Sequence, residues 1–325
     1  MNKYGGIDIG GSSIKFGIVS NGKVESKKSF PYSGRRSQIV QHDLRAAIRE
    51  LIENKVEGIG IGFPGYIDQE SKRFIGGPNM EIAINVKEMM EQEDFHNYKI
   101  DNDGNLAALA EYEYFYSGRV ENFIFISFGT GIGGGVINNS KLIRGEGNAG
   151  ELGHILISND PSLETCGCGK VGCFESLASA SQWTRAVTEL LEIEDLISSR
   201  ARLKWRRPPK SELYLFNKAN YKQIDKGSSL FNKNLSLTKL QIKKRDEFIT
   251  YISRGLISLY EIFDNQIFVI GGSFTEDDSD LIELLNERIK LQEIADRGGR
   301  DFPEINIAQL KSDAGIIGAT CLFND

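Results

Sequence analysis

The sequence predicts an α/β protein made of two related domains that face each other. Its 325 residues exceed the usual size of a single hydrophobic core, which favours two domains. One glycine-tipped hairpin pattern occurs twice, and a repeated supersecondary pattern indicates duplicated domains. Glycine accounts for 35 of the 325 residues, above the average of about 7%, and the excess falls in a few loops. Such loops are typical of turns and of backbone that approaches a ligand closely.

The first copy of the hairpin lies at residues 4–25, where YGGIDIGGSSIKFGIVSNGKVE is typical of three strands joined by a glycine tip and an Asn-Gly turn. A shift of 118 residues places Gly11-Ser12 on Gly129-Thr130. Under the same shift Asp8 falls on Ile126, so only the first copy has an acidic residue below its tip. A carboxylate there indicates a magnesium-side role, with a turn-capping aspartate as the alternative.

The second copy begins the stretch Phe123–Glu175, which carries most of the polar chemistry. An apolar run is followed by a glycine-rich tip, a short strand and a turn predicted at Asn138-Asn139. Glycine lets backbone amides converge on an anion without a side chain between them. The tip is therefore predicted to bind phosphate.

Four potential metal ligands follow this hairpin. Cys166 and Cys168 are too close in sequence to form a comfortable disulfide, Cys173 follows five residues later, and His154 is the natural fourth ligand. Three sulfurs and one imidazole predict a closed, structural zinc site. Free buried thiols are the alternative, and Cys321 stands apart as a small core residue.

The rest of the first domain combines a helix, a strand and glycine-rich loops. Residues 38–54 have apolar positions at helical spacing and predict an amphipathic packing helix. Residues 56–68 predict a buried strand that ends at Pro64-Gly65, and the next loop ends at Asn79. Loops at strand ends often contact substrate in α/β proteins, although either loop also suits a simple turn.

A further helix follows Asn102, and Asp103 stands where its N-cap belongs. On sequence alone, capping explains Asp103 better than catalysis does. The position also suits a carboxylate base, because a helix start holds the side chain rigidly and favours its ionised form.

In the C-terminal part, residues 248–263 predict a helix and 266–270 a buried strand, followed by Gly271-Gly272. That glycine pair either admits a nucleotide base or reverses the chain. The basic segment 198–210 is interpreted as a solvated connection. Small residues at helical spacing in 313–319 predict a helix that packs closely against another element.

Composition and charge exclude several classes of protein. A net charge of −6 provides no positive surface for nucleic acid or an anionic membrane. No apolar run approaches the roughly 18 to 20 residues of a membrane span, and the N-terminus leads into a strand without a signal peptide. We therefore expect a cytoplasmic protein with no nucleic-acid or membrane partner, in which disulfides are disfavoured.

The motifs described above, taken in their order along the chain, resemble those of the ROK family of bacterial sugar kinases and sugar-responsive repressors. The resemblance spans nearly the whole chain and rests chiefly on DIGGS from Asp8, FGTGIGGG from Phe128, GELGH from Gly150 and the cysteine run that ends at Glu175. It implies an actin-like, ribonuclease H-like α/β fold of two duplicated domains with a cleft between them.

The domain boundaries expected from the resemblance are 1–119 together with 311–325 for the first domain. The second, 120–310, carries the zinc loop. The implied activity is ATP-dependent phosphorylation of a glucose-like hexose, with ATP, Mg²⁺ and structural Zn²⁺ as cofactors. A sugar-sensing repressor is the alternative, but those repressors carry a helix-turn-helix before the first hairpin, and only seven residues precede Asp8. Expected partners are the sugar, ATP and a second copy in a homodimer.

The resemblance also implies a role for each site residue. Asp103 corresponds to the catalytic base. Sugar contacts are expected from Gly65, Asn79, Asn102, Asp103, Glu151, His154 and Glu175. Nucleotide and magnesium contacts are expected from Asp8, Gly10, Gly11, Ser12, Gly129, Thr130, Gly131, Gly271 and Gly272. Zinc ligands are expected to be His154, Cys166, Cys168 and Cys173, so that His154 serves sugar and zinc through its two ring nitrogens. We also expect the glycine hairpins to be independent of the metal site.

Overall fold

A computed structural model describes residues 2–10, 13–31, 37–77, 80, 82–190, 231, 236–272, 280–292 and 300–324. Three predicted site residues, Gly11, Ser12 and Asn79, lie outside the described residues. The basic segment 198–210 also lies outside them.

The described strands form two five-stranded sheets and one small sheet. The first half contains β1 (Lys3–Ile9), β2 (Ser13–Ser20), β3 (Lys23–Pro31), β4 (Gly58–Phe63), β5 (Tyr66–Asp68), β6 (Arg73–Gly76), β7 (Ile84–Asn85) and β8 (Tyr98–Asn102). The second half contains β9 (Phe123–Phe128), β10 (Ile132–Asn138), β11 (Lys141–Leu142), β12 (Ile267–Gly272) and β13 (Glu304–Ile307).

The described helices pack around these sheets. They are α1 (Ser37–Glu53), α2 (Val86–Gln92), α3 (Asp103–Glu111), α4 (Phe174–Ala178), α5 (180–190), α6 (Lys239–Phe263), α7 (Leu281–Lys290) and α8 (Ala314–Cys321). A π-helical turn, Tyr112–Tyr116, continues α3. In the described part of the chain, no helix combines the length and apolar character needed to cross a membrane.

The two large sheets have the same topology. Their strand orders are β3-β2-β1-β4-β8 and β11-β10-β9-β12-β13. In each sheet the first three strands pair antiparallel, and the last two add in parallel. The predicted α/β class and the predicted duplication are confirmed, because the same order and the same directions occur twice.

The two hairpin tips differ in length by one residue. The last pair before the tip is Ile9 with Ile14 in the first hairpin, and Phe128 with Ile132 in the second. Four residues, 10–13, therefore separate the paired residues Ile9 and Ile14, whereas three residues, 129–131, separate Phe128 and Ile132. A constant shift of 118 residues aligns the strands after the tips but misaligns the strands before them.

The counterpart of Asp8 is therefore Ser127 and not Ile126. Asp8 pairs with Lys15 in the first hairpin, and Ser127 pairs with Gly133 in the second. The assignment of Ile126 was wrong because sequence similarity did not show the extra tip residue. Only the first hairpin has a carboxylate at this place, as predicted.

Two further boundaries differ from the expectation. Asn138 still pairs with Lys141, so the turn of the second hairpin is Asn139-Ser140, with left-handed φ angles of 49° and 61°. Strand β12 continues through Gly272, which pairs with Phe128. The glycine pair after residue 270 thus belongs to the strand itself.

Helices α3 and α8 are exchanged between the halves. Helix α3 follows the last strand of the first sheet but packs on β9 and β10, whereas α8 follows the second sheet and packs on β1 and β4. The two helices also touch: a Cβ on Gly318 would lie 1.9 Å from the carbonyl oxygen of Leu106. The prediction of a closely packed C-terminal helix is confirmed. The boundaries proposed for the two domains stay a prediction.

Candidate active site

A cavity of about 650 Å³ opens between the two halves and is lined by both hairpins, by α3 and α8, and by the loop before α4. Most of the predicted site residues line it: Asp8, Gly65, Asn102, Asp103, Gly129, Thr130, Gly131, Glu151, His154, Glu175, Gly271 and Gly272. Gly10 is described but is not part of the lining, and its amide instead donates to the carbonyl of Ser13 at 2.9 Å.

Asp103 is the first residue of α3, and the N-cap is Asn102. The side-chain oxygen of Asn102 accepts hydrogen bonds from the amides of Gly104 at 2.8 Å and Asn105 at 3.2 Å, which satisfies two free donors of the helix start. The interpretation of Asp103 as the N-cap was therefore wrong, because the N-cap is the preceding residue, Asn102. The carboxyl of Asp103 lines the cavity instead.

The surroundings of Asp103 favour its neutral form. Burial raises the pKa of Asp103 to about 7, and the negative charges of Asp8 and Glu151 add to the increase. A hydrogen bond from the amide of Gly104 to the carboxyl opposes it. A carboxyl that titrates near neutral pH can both accept and release a proton there.

Lys15 is a cavity residue that the sequence analysis missed. It lines the cavity opposite Asp8 on the paired strand. Burial raises the pKa of Asp8, while the charges of Lys15 and Lys27 oppose that increase. The sequence shows a lysine on the strand after the glycine tip, but only the pairing of the two strands places it in register with Asp8.

Glu151 and His154 belong to the loop that follows the second hairpin. The Nε2 atom of His154 lies 3.9 Å from the Oε2 atom of Glu151. Burial raises the pKa of Glu151, the histidine lowers it, and the charge of Glu175 raises it. Three polar side chains thus face the same end of the cavity as Asp103.

The other nitrogen of His154 faces the cysteines. The distance from Nδ1 of His154 to Sγ of Cys166 is 3.7 Å, and that from Sγ of Cys168 to Sγ of Cys173 is 3.5 Å. All four ligand atoms lie within 4.8 Å of one another. A tetrahedral zinc ion would require separations of about 3.6 to 3.8 Å between its ligands, as follows from its bond lengths. The four residues therefore fit such an ion.

Glu175 connects the cysteine loop to the second hairpin. Its Oε2 atom accepts a hydrogen bond from the amide of Ile132 at 2.8 Å, and the thiol of Cys166 lies 3.8 Å from its Oε1 atom. The second glycine hairpin is therefore in contact, through Glu175, with the region of the cysteines, and its independence of the metal site stays a prediction. Sequence alone gave no sign of this contact, because the two residues are 43 positions apart.

The tip glycines differ in what surrounds them. A Cβ on Gly131 would lie 2.2 Å from the Oε2 atom of Glu175, whereas a Cβ on Gly129 would meet no atom within 4 Å. A side chain at position 131 would thus displace the carboxylate of Glu175. Gly129 lines the cavity and faces open space.

Comparison with known proteins places this arrangement in a family. A sequence profile of the ROK family matches residues 4–325. The chain belongs to the ROK family. Among the curated ROK relatives, the glucokinase of Streptomyces coelicolor is 28% identical over 330 residues, which cover 98% of this chain and 97% of that protein. The N-acetylmannosamine kinase of Haemophilus influenzae is 29% identical over 332 residues, covering 98% and 94%.

Solved structures confirm the predicted actin-like fold. The ROK glucokinase from Streptomyces griseus, crystallised in complex with glucose and AMPPNP, superposes with a TM-score of 0.77 at 26% identity and covers 99% of each chain. The family membership inferred from the sequence motifs is confirmed with it. The roles of individual residues in this ROK protein stay predictions.

Proposed function

We propose that this protein transfers the γ-phosphoryl group of ATP to a hydroxyl group of a glucose-like hexose, with Asp103 as the general base. The observation that carries the proposal is that Asp103 lines the same cavity as Glu151, His154 and Glu175 and as Gly129, Thr130 and Gly131 of the second hairpin tip. A base between a hydroxyl-binding end and a phosphate-binding end is what phosphoryl transfer to a sugar requires.

At the polar end, hydroxyl groups of the sugar would be held by Glu151, His154, Glu175 and Asn102. The side-chain amide of Asn102 already donates to the carbonyl of Gly65 at 3.2 Å, which fixes the orientation of this side chain beside Asp103. Carboxylates and amides in these places can accept and donate hydrogen bonds to several hydroxyl groups at once. The glucokinase and N-acetylmannosamine kinase among the relatives support a hexose or a hexosamine as substrate.

At the other end, the backbone amides of Thr130 and Gly131 would face the phosphates, whereas the amide of Gly129 donates to the carbonyl of Gly131 at 2.9 Å. Asp8 would hold Mg²⁺, which supplies charge stabilisation to the phosphates when bound, and a carboxylate lining the cavity is a suitable ligand. Lys15 would offset the charge that develops on the transferred group. The structural neighbour crystallised with glucose and AMPPNP supports a sugar and a nucleotide as the ligands of this cavity.

In the reaction, Asp103 accepts the proton of the attacking hydroxyl group. The hydroxyl oxygen forms a bond to the γ-phosphorus, and the bond from that phosphorus to the bridging oxygen of ADP breaks. The products are the sugar phosphate, ADP and protonated Asp103. A pKa of about 7 lets Asp103 lose this proton to solvent between turnovers.

Zinc bound by His154, Cys166, Cys168 and Cys173 would supply structural support and no open coordination position. With Nδ1 of His154 towards the cysteines, Nε2 remains on the side of Glu151 and the cavity. The metal site would thus fix the tautomer and orientation of a sugar-contacting ring.

The test is the release of ADP with a panel of hexoses and N-acetylated hexosamines, for wild type and Asp103→Asn. We expect wild-type turnover with at least one sugar and a loss of at least about 10²-fold in kcat for the variant, because only the base is removed. We also expect kcat/KM of the wild type to fall about tenfold per pH unit below a pKa of about 7, since protonation of Asp103 removes the base.

Asp94→Asn is the control, because the side chain of Asp94 is 97% exposed and lies outside the cavity. It should behave as wild type. An Asp103→Asn enzyme that keeps more than about a tenth of the wild-type kcat would contradict the role of Asp103 as base. Sugar binding without phosphoryl transfer by the wild type would instead favour the repressor-type alternative.

A further inference from the structure

Asp101 and Arg144 form an ion pair that joins the two parts of the sugar end of the cavity. The Nε atom of Arg144 donates to the Oδ2 atom of Asp101 at 2.6 Å. Asp101 belongs to β8 of the first sheet and is 3% exposed, whereas Arg144 follows β11 of the second sheet. The pair therefore spans both halves of the molecule.

On one side, Asp101 supports the start of α3. Its Oδ1 atom accepts hydrogen bonds from the amide of Asn102 at 2.8 Å and from the side chain of Asn105 at 2.9 Å. Asn102 is the N-cap of the helix that begins with Asp103. A buried carboxylate with three donors thus fixes the backbone immediately before the proposed base.

On the other side, Arg144 shapes the loop that leads to Glu151. Its carbonyl oxygen accepts the amides of Gly147 at 2.9 Å and Ala149 at 3.1 Å. The loop then passes close to Asn105: a Cβ on Gly150 would lie 3.1 Å from the Oδ1 atom of Asn105. The side chain of Arg144 therefore links this loop to the start of α3 through Asp101, and its carbonyl oxygen stabilises the turn within the loop.

We infer that Asp101 and Arg144 are positioning residues that set the distance between the proposed base Asp103 and the sugar-binding loop. This inference rests on the proposed function. Neither residue belongs to the motifs that identified the site, and neither lines the cavity. The pair acts only through the elements it connects. Its loss should therefore affect the sugar more than the nucleotide, because the hairpin tips do not depend on it.

Arg144→Met tests this inference. We expect the dissociation constant for the sugar to rise about tenfold, as the loss of one charge-assisted hydrogen bond implies. We expect kcat to fall up to about 10²-fold, since a shift of about 1 Å between reacting groups has that effect. The KM for ATP should stay within about twofold of wild type. Arg144→Lys keeps the charge and should recover part of both losses.

Stability must be separated from positioning, because removing Arg144 leaves a buried, unpaired carboxylate. The double variant Asp101→Asn/Arg144→Met removes both charges and should regain thermal stability. Its affinity for the sugar should remain weak, because the tie between helix and loop is still missing. A double variant that regains both stability and wild-type sugar affinity would overturn the inference.

Arg45→Met is a matched control, because its ion pair with Glu93 is also partly buried but lies away from the cavity. The side chains of Arg45 and Arg144 are 30% and 32% exposed. Arg45→Met should leave sugar affinity unchanged.

Calorimetry with glucose and N-acetylmannosamine as probes measures sugar affinity whether or not phosphate is transferred. If the wild type binds sugar without turnover, the proposed kinase activity fails and the inference is decided by these affinities alone. Unchanged sugar affinity in Arg144→Met would overturn the inference even in an active kinase.

Discussion

In the first hairpin, Asp8 and Lys15 face each other across paired strands, whereas Ser127 and Gly133 occupy the corresponding positions of the second. Both pairs lie on strands of the same order and direction. The duplicated backbone therefore presents an aspartate and a lysine on one side of the cavity, and a serine and a glycine at the corresponding positions on the other. The difference shows that duplicated strands of one topology can carry different side chains at corresponding positions of one cavity.

The two hairpins also differ in their support. The second is in contact with Glu175, which accepts a hydrogen bond from the amide of Ile132 and lies in the first turn of α4, two residues after Cys173. The first lies against α8, where a Cβ on Gly315 would be 2.5 Å from the carboxyl carbon of Asp8. One hairpin is thus in contact with the residue that follows the candidate metal ligands, and the other packs against the C-terminal helix.

The largest effect is expected from Lys15→Met, which removes the cation of the charged hairpin. We expect kcat to fall about 10²-fold or more, because a fixed charge near developing negative charge contributes on that scale. Steady-state kinetics with varied ATP would measure it. Lys23→Met, at an exposed position of the same hairpin, is the control and should stay within about twofold of wild type. Wild-type kinetics in Lys15→Met would remove the functional distinction between the hairpins.

A smaller effect is expected from Cys168→Ala, which removes one of the four candidate zinc ligands. Wild type should contain about one zinc per chain, and the variant should lose it. Sugar affinity should fall about 10- to 100-fold, the usual cost of disturbing a metal site's surroundings. The affinity for ADP should fall less, because the second hairpin would be disturbed through the hydrogen bond that the amide of Ile132 donates to Glu175.

Elemental analysis and calorimetry measure these quantities. Cys321→Ala is the control, because Cys321 lies in α8 outside the cysteine cluster, and it should keep both zinc and affinity. Absence of zinc in wild type purified without chelator would exclude the proposed metal. A zinc-free Cys168→Ala protein with unchanged sugar affinity would separate the metal from the substrate.

The smallest effect is expected from single methyl groups on the second tip. Gly129→Ala should raise the KM for ATP about tenfold and leave stability unchanged, because its methyl group would occupy only the open cavity. Gly131→Ala should displace Glu175, and should therefore weaken both substrates and lower the melting temperature by several degrees. Kinetics and thermal unfolding of the two variants, measured side by side, test this. Identical effects on ATP and sugar would mean that neither tip residue faces the nucleotide.

The parts of the fold that could be predicted are those fixed by local pattern. Strand alternation, turn residues and glycine tips repeat along the sequence, and they identified the duplicated hairpins and the elements around Asp103. The errors arose where one residue decides the outcome. Because of the extra tip residue, the residue of the second hairpin that corresponds to Asp8 is Ser127 and not Ile126. The true N-cap is Asn102, one residue before the position assigned to it.

The contacts that could not be predicted join residues distant in the chain. The bond from Glu175 to Ile132 and the pair of Asp101 with Arg144 each span 43 positions. Neither contact has a periodicity or a spacing that would identify it in one sequence. The pair of Asp101 with Arg144 also depends on how the two halves are placed relative to each other. Family resemblance named the site residues, whereas the residues that support them required the structure.

The exchange of α3 and α8 has a consequence for synthesis of the chain. Strands β1 and β4 are made early, but the helix that covers one face of their sheet begins only at Ala314. Ile316 and Ala319 of that helix are fully buried in the finished protein. Until they leave the ribosome, the face of the sheet that they pack against, at Gly6 and Gly60, is uncovered, and contacts of such long sequence separation form slowly. The first half of the molecule is therefore completed last.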